Sequence, residues 1–402
     1  MSYIKQGTAL FRRTNIALFA GGFTTFAVLY STQPLLPVFA QEFGLTPAVA
    51  SLSLSVVTIA LAVSMLLAGS LSEAWGRKPV MLVALFAVSL MTLLTAASPT
   101  YPVLLAFRIL QGIILSGVPA IAMAYLGEEV EAGSLGVAMG LYISGNSVGG
   151  MAGRIVTGTL TDLWGWRTAI VGIGLLGVAA SVVFWLLLPP SRHFEPRPLK
   201  LLPLVRSLAS LCRDVRLLCL YGVGFLLMGS FVTLYNYIGF QLLAPPYSLS
   251  QTLVGWIFLV YIVGTFSSAW MGKQADRHGR PRVLAIALLL LFAGACLTLE
   301  TDLLLKLAGI AVFTFGFFGG HSIASGWVGR LADHDKAQAS SLYLFFYYAG
   351  SSVGGTAGGS LWSAFGWHGI VAMIACFLFA ALLLSLRLTV LTRRAETAPR
   401  EI

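Results

Sequence analysis

Long stretches of apolar residues, separated by brief polar clusters, set the pattern of this chain. Twelve such runs cover approximately residues 15–40, 49–71, 79–98, 102–126, 134–161, 166–188, 216–243, 252–271, 282–299, 303–329, 337–364 and 367–391. Each supplies about the 20 mostly apolar residues that an α-helix needs to cross the hydrocarbon core of a bilayer. Only helices and closed barrels satisfy their backbone hydrogen bonds there. The runs are too long and too uniformly apolar for the alternating strands of a barrel. The pattern therefore predicts an all-α membrane protein with twelve transmembrane helices. Lys5, Arg12 and Arg13 precede the first run, with no small-residue cleavage site after a short apolar core. That run is expected to remain as an anchor rather than to be removed as a signal peptide.

Composition agrees and narrows the choice. Of 402 residues, 57% are hydrophobic and 10% charged, against roughly 25% charged in an ordinary soluble domain. The net charge of +10 never gathers into the basic stripe that a phosphate backbone requires, so no nucleic-acid partner is expected. Cys212, Cys219, Cys296 and Cys376 lie far apart without a CxxC pair, which argues against a metal site or a disulfide framework. The chain has no GxxxxGK[ST] phosphate loop, no HExxH and no paired intramembrane aspartates. An ATP-driven pump and an intramembrane hydrolase are thereby disfavoured, and neither an enzyme nor a cofactor is expected.

Placing both termini in the cytoplasm puts 21 of the 25 Lys and Arg on that side, with Arg167 and Lys306 outside and Arg108 and Arg154 within helices. This positive-inside asymmetry predicts a multi-pass protein with both termini in the cytoplasm. The most basic stretch follows Pro189-Pro190 and carries Arg192, Arg197, Lys200, Arg206, Arg213 and Arg216. It reads as a cytoplasmic connector facing anionic lipid head groups.

The halves on either side of that connector repeat one another. GSLSEAWGRKPV at 69–80 recurs as GKQADRHGRPRV at 272–283, and GNSVGGMAG at 145–153 recurs as GSSVGGTAG at 350–358. LTPA at 45–48 answers LSQT at 249–252, and GWR at 165–167 answers GWH at 366–368. The first three pairs have offsets of 203, 205 and 204, as in carriers built from duplicated bundles. The expected domains are an N-terminal six-helix bundle (1–188), a linker (189–215) and a C-terminal six-helix bundle (216–402), related by pseudo-symmetry with a cavity between them.

These motifs carry a resemblance. GSLSEAWGRKPVM at 69–81 resembles the loop signature of the major facilitator superfamily, with Glu73 in place of the usual Asp and Ala74 in place of the usual Arg. LLAFRILQG at 104–112 resembles the superfamily's fourth-helix signature. GNSVGG in the fifth run resembles the motif of its drug:proton antiporters, with Asn146 standing where that motif has Pro. The resemblance implies the major facilitator fold and a secondary transporter of a bacterial inner membrane, working by alternating access. It also implies export coupled to protons, for which a monomer is expected. An importer or a sugar efflux carrier of the same fold remains the alternative, and a membrane receptor is a third.

In the loop signature, Gly69 and Gly76 permit a tight helix–loop–helix turn. Glu73, Arg77 and Lys78 form a charged latch, since a carboxylate can sit at the N-terminus of a facing helix. By resemblance the latch holds the outward-open state, with Asp276, Arg277 and Arg280 as a second copy; the plainer reading is turn formation and orientation. Gly145, Gly149 and Gly153, with Gly150 beside them, and Gly350, Gly354 and Gly358 present small faces. They serve either sliding between the halves or static packing.

Intramembrane ionisable groups are the default candidates for function. They are Arg108, Arg154 and His321; all fifteen Asp and Glu fall in loops, tails or helix ends. Arginines without a buried carboxylate favour a small amphiphilic ligand that is anionic or zwitterionic, held through the planar guanidinium fork. By resemblance Arg108 assists proton movement; its alternative is pairing with backbone carbonyls or Gln111. Arg154 is read as a ligand group, or as a partner of Asp162. His321 is either a proton relay or a buried structural hydrogen bond. Tyr30, Gln33, Asn146, Asn236, Tyr261 and Tyr347 complete a candidate substrate cavity with the two arginines, and Tyr235 and Tyr343 are further candidates for its lining.

Overall fold

Helix ends in this chain are set by caps, prolines and glycines that the sequence displays openly. The computed structural model describes residues 3–194 and 201–397. Helix α1 (Ala9–Tyr30) starts where the Thr8 hydroxyl accepts the Phe11 amide at 3.1 Å. Pro34 and Pro37 lack amide hydrogens, so the first crossing breaks into a 3-10 turn at Gln33–Leu35 before resuming as α2 (Leu36–Glu42). Helices α3 (Pro47–Trp75) and α4 (Arg77–Ala96) meet at Gly76, whose φ of 96° is open to glycine and costly for other residues. The fourth crossing is α5 (Tyr101–Leu115) and α6 (Pro119–Glu129), interrupted ahead of Pro119.

Ala132–Leu187 runs 56 residues and bends at Gly165 (φ 83°) into α7 (132–164) and α8 (166–187). After the connector helix α9 (Leu201–Leu211) come α10 (Val215–Leu243), α11 (Gln251–Trp256), a 3-10 turn at Ile257–Val260, and α12 (Tyr261–His278). Helices α13 (Arg280–Leu297) and α14 (Leu303–Leu331) follow. The last helical stretch, Lys336–Thr397, bends at Gly366 (φ 57°) into α15 (336–365) and α16 (367–397).

Among the described residues, ten helical stretches are long and apolar enough to span a membrane. The two that bend at Gly165 and Gly366 are 56 and 57 residues long, twice what one crossing needs. Each supplies two crossings, so the chain crosses twelve times, as its hydrophobic pattern predicts. Helix α9 has no counterpart among the predicted runs. It is short and amphipathic, with Leu202, Val205 and Arg206 exposed. Arg197 and Lys200, assigned to the basic connector, lie outside the described residues.

The chain forms two compact units: Met1–Lys200 with Leu242–Phe258, and Leu201–Gln241 with Leu259–Ile402. In the first, the glycines of α7 rest on the backbone of α1. A Cβ at Gly145 would lie 2.6 Å from the Phe19 carbonyl oxygen, and one at Gly149 would lie 2.2 Å from that of Phe23. The second unit repeats the device: a Cβ at Gly350 would fall 2.0 Å from the Phe225 carbonyl oxygen and one at Gly354 would fall 2.6 Å from that of Gly229. These rows are thus seams between two helices of one unit. Asn146 belongs to the same seam, with its side-chain oxygen against Gly22 of α1.

Candidate functional site

The break that follows α1 leaves carbonyl groups at its C-terminal end short of helical partners, and polar side chains must meet them in a layer where water is scarce. Arg108 on α5 does so. Its Nη2 donates to the Leu29 oxygen at 2.6 Å and its Nη1 to the Val28 oxygen at 3.1 Å. Its Nε donates to the Ser53 oxygen on α3 at 2.8 Å, and Nη1 also reaches Gln111 Oε1 at 2.7 Å. Gln111 in turn donates to the hydroxyls of Thr92 and Thr95 at 3.1 and 3.2 Å. Arg108, 1% exposed, therefore ties α1, α3, α4 and α5 together around the break. Of its two sequence readings, the structure displays the carbonyl and Gln111 pairing.

On the other side of the break, the 3-10 turn brings Gln33 to Arg154 of α7. The Arg154 Nε donates to Gln33 Oε1 at 2.7 Å and its Nη1 to the Gly150 oxygen at 2.7 Å. Two rings pack against the guanidinium, with Tyr30 centred 4.1 Å and Phe258 4.6 Å from its carbon. Such packing suits a desolvated guanidinium. Asp162, the alternative partner for Arg154, instead accepts the amides of Gln251 and Thr252 at 3.1 and 2.6 Å. Three candidate residues, Tyr30, Gln33 and Arg154, thus form one cluster. Phe258 is a fourth member that sequence reasoning missed, since one phenylalanine in an apolar run carries no signal of its own.

A separate aromatic group occupies the second unit. His321 on α14 shares a hydrogen bond with the Tyr343 hydroxyl (3.0 Å from Nδ1) and lies 4.6 Å, centroid to centroid, from the ring of Tyr347. Phe317 stacks on Phe231 at 3.7 Å, and Phe231 leads to Tyr235 (4.7 Å) and Tyr261 (5.7 Å). Asn236 is buried on α10 next to Tyr235. The second set of candidates, Tyr261, His321 and Tyr347, is therefore one continuous aromatic layer with a single histidine.

Comparison with known proteins decides what kind of molecule carries these clusters. The family model described as Major Facilitator Superfamily matches residues 18–249 and 226–402. The chain belongs to the major facilitator superfamily. It is 56% identical to the MFS-type transporter YybF of Bacillus subtilis over 385 residues, covering 96% of this chain and 95% of that one. It is 48% identical to the inner membrane transport protein YnfM of Escherichia coli over 386 residues, with 96% and 93% covered. Among solved structures, a bacterial homologue of the human lysosomal transporter Spinster matches with a TM-score of 0.77 at 14% identity, covering 95% of this chain and 97% of that one. The protein is thus a membrane-spanning secondary carrier of the superfamily and not an enzyme.

The superfamily's loop signature is built here as a tie inside one unit. Arg77 donates to Glu128 at the end of α6 (2.7 Å from Nη2) and to the Ser72 hydroxyl at 2.5 Å, while Glu73 stands 4.0 Å away. Gly69 contributes a carbonyl, 3.4 Å from Arg77 Nη1. Lys78 donates to the Leu188 carbonyl at the end of α8. The second copy has opposite polarity: Asp276 accepts from Arg280 at 2.9 Å and from Arg330 at the end of α14 at 3.3 Å. Arg277 lies in the last turn of α12, where a cation complements the helix dipole. Glu128 was not singled out from the sequence, because its link to Arg77 spans 51 positions.

Proposed function

We propose that this carrier exports a small amphiphilic compound, anionic or zwitterionic, by alternating access of its two repeats and in exchange for protons. The observation that carries the reading is Arg154: a side chain 1% exposed, held in place by Gln33 and Gly150 and packed against the rings of Tyr30 and Phe258. A buried, pre-oriented guanidinium is suited to a carboxylate, and flanking rings are suited to an apolar body. No Asp or Glu falls within the twelve hydrophobic runs, which argues against a cation as cargo. Arg108 enters this reading as a positioning residue that braces the break presenting Tyr30 and Gln33.

Export is favoured by the GNSVGG motif of α7, and proton coupling by His321 with Tyr343. In this reading both termini face the cytoplasm, the repeats form two six-helix bundles joined through 189–215, and the carrier works as a monomer. The two basic residues left on the far side are each fixed locally. Arg167 pairs with Glu42 at 2.8 Å, and Lys306 donates to the Thr298 carbonyl beneath the Trp367 ring.

Untargeted mass spectrometry of the medium tests the reading, comparing cells that overproduce the intact protein with cells carrying Arg154→Gln. A carboxylate or zwitterion enriched outside only with the intact protein is the expected result. A compound depleted from the medium would reverse the direction, and a cation enriched equally by both proteins would overturn the anion argument.

A further inference from the structure

The glycine row that seats α7 on α1 steps back by four residues from Gly153 through Gly149 to Gly145 and then stops, since the next position is Leu141. Beside that larger side chain the two helices leave a pocket of about 300 Å³. Its wall is made by Phe11, Arg12, Asn15, Ile16 and Phe19 of α1 with Leu141 of α7. By their spacing, residues 12, 15, 16 and 19 share one face of the helix. A volume of this size stands at the lower end of the range for small-molecule sites. It admits one short chain or ring and cannot enclose a two-chain lipid.

Two polar residues stand among the apolar ones. Asn15 is 6% exposed and its Nδ2 donates to the Phe11 oxygen at 2.8 Å, while its Oδ1 is buried and accepts no hydrogen bond. A buried acceptor left open is costly, and a hydroxyl or amine in the pocket would satisfy it. Arg12 is exposed and, among the described residues, makes no ion pair. Its neighbour Arg13 is turned toward the Leu186 oxygen at 3.3 Å. The first turn of α1 holds no acidic residue, so a cation there faces the positive end of the helix dipole and gains from an anion beside it. We propose that this pocket binds a single-chain amphiphile whose acid group meets Arg12 and whose hydroxyl or amine donates to Asn15. Its chain lies among Phe11, Ile16, Phe19 and Leu141. Tyr30, beside Arg154, is at the far end of α1, about 27 Å from Arg12 at 1.5 Å per residue, so the pocket is a second site. With the termini in the cytoplasm it loads outbound cargo before that cargo reaches Arg154; this use, though not the pocket itself, rests on the proposed export.

Protection of a cysteine tests the site. The full chain carrying Leu141→Cys is placed in phosphatidylcholine nanodiscs and alkylated with N-ethylmaleimide. Peptide mass spectrometry separates this position from the four native cysteines. 2-Hydroxyoctanoate is expected to slow the reaction at lower concentration than octanoate, which lacks the donor, or octane-1,2-diol, which lacks the acid. Arg12→Gln should cancel its advantage over the diol and Asn15→Leu its advantage over octanoate, each by roughly threefold in concentration. Equal protection by all three compounds overturns the proposal, as does protection that survives both substitutions.

Two further arms separate this ligand from other occupants. Arg154→Gln should leave the protection unchanged; its loss would put the ligand at the Arg154 site and refute the pocket. Without ligand, phosphatidylglycerol nanodiscs should label as fast as phosphatidylcholine ones. Slow labelling there that the hydroxy acid does not alter would give the pocket to lipid head groups and overturn the proposal. Should Leu141→Cys fail to fold, Ile16→Cys, at a position 46% exposed, serves as the reporter. No transport is measured, so failed export removes the loading role and leaves the pocket, whereas failed protection removes the pocket and leaves Arg154.

Discussion

Two buried arginines lie on either side of one helix break, yet their surroundings assign them different work. Arg108 donates to three carbonyls and an amide oxygen. Arg108→Leu would remove those four buried hydrogen bonds, at about 1–3 kcal/mol for each acceptor that finds no substitute. The expected result is a lowered unfolding midpoint in detergent, and a midpoint equal to wild type would refute the bracing role. Arg154→Lys keeps a positive charge but loses the planar fork and its stacking. It should leave that midpoint within a few degrees while export of the anionic compound falls roughly tenfold or more. Equal export by both proteins would remove Arg154 from the cargo site. That the two residues are intramembrane is plain in the sequence. Which of them braces is not, because the carbonyls that claim Arg108, those of Val28 and Leu29, lie some 80 positions away.

At the scale of whole helices, the glycine rows show what a repeat can and cannot convey. Their four-residue spacing in α7 and α15 marks a close approach, and the structure displays one against α1 and α10. Whether such a face slides or packs depends on its neighbour, and only the fold supplies that neighbour. Contact at backbone level makes a sharp prediction. Gly149→Ala would drive a methyl group to 2.2 Å from the Phe23 oxygen, forcing α1 and α7 apart at a cost of about 1–3 kcal/mol. Gly140→Ala, on the same helix with nothing within 4 Å, should be neutral or stabilising by up to about 1 kcal/mol. Thermal unfolding of the two variants side by side checks the contrast, and equal effects would mean that α1 yields easily. The twelve crossings were legible because each needs a run of uniform polarity. Helix α9 was hidden because eleven residues of mixed character resemble a linker when read as hydropathy alone.

Across the whole molecule, each repeat ties its loop signature to a helix end, but with reversed charges and from a different position, since Asp276 is the counterpart of Glu73 and Arg280 that of Arg77. In the first unit the loop contributes Arg77 and the helix end Glu128; in the second the loop contributes Asp276 and the helix end Arg330. The surroundings differ as well. The Arg77 side chain is 8% exposed, whereas those of Asp276 and Arg330 are 58% and 64% exposed. A buried guanidinium that loses its carboxylate keeps its desolvation penalty without the compensating attraction, while an exposed pair is screened by water and contributes at most about 1 kcal/mol. Glu128→Gln is therefore expected to destabilise the first unit by roughly 2 kcal/mol, and Asp276→Asn to change stability little. Limited proteolysis with peptide mapping resolves the two units, and cleavage should rise in the first with Glu128→Gln and stay level in the second with Asp276→Asn. Exchanging the pair as Arg77→Glu with Glu128→Arg should recover part of the loss, since the attraction is restored although Ser72 and Gly69 no longer receive the guanidinium. Complete absence of recovery would mean that the hydrogen bonds of Arg77 to Ser72 and Gly69, rather than its charge, hold the loop. In that case the opposite polarity of the second copy would be neutral to stability, and the two ties would share a region of the repeat without sharing mechanism.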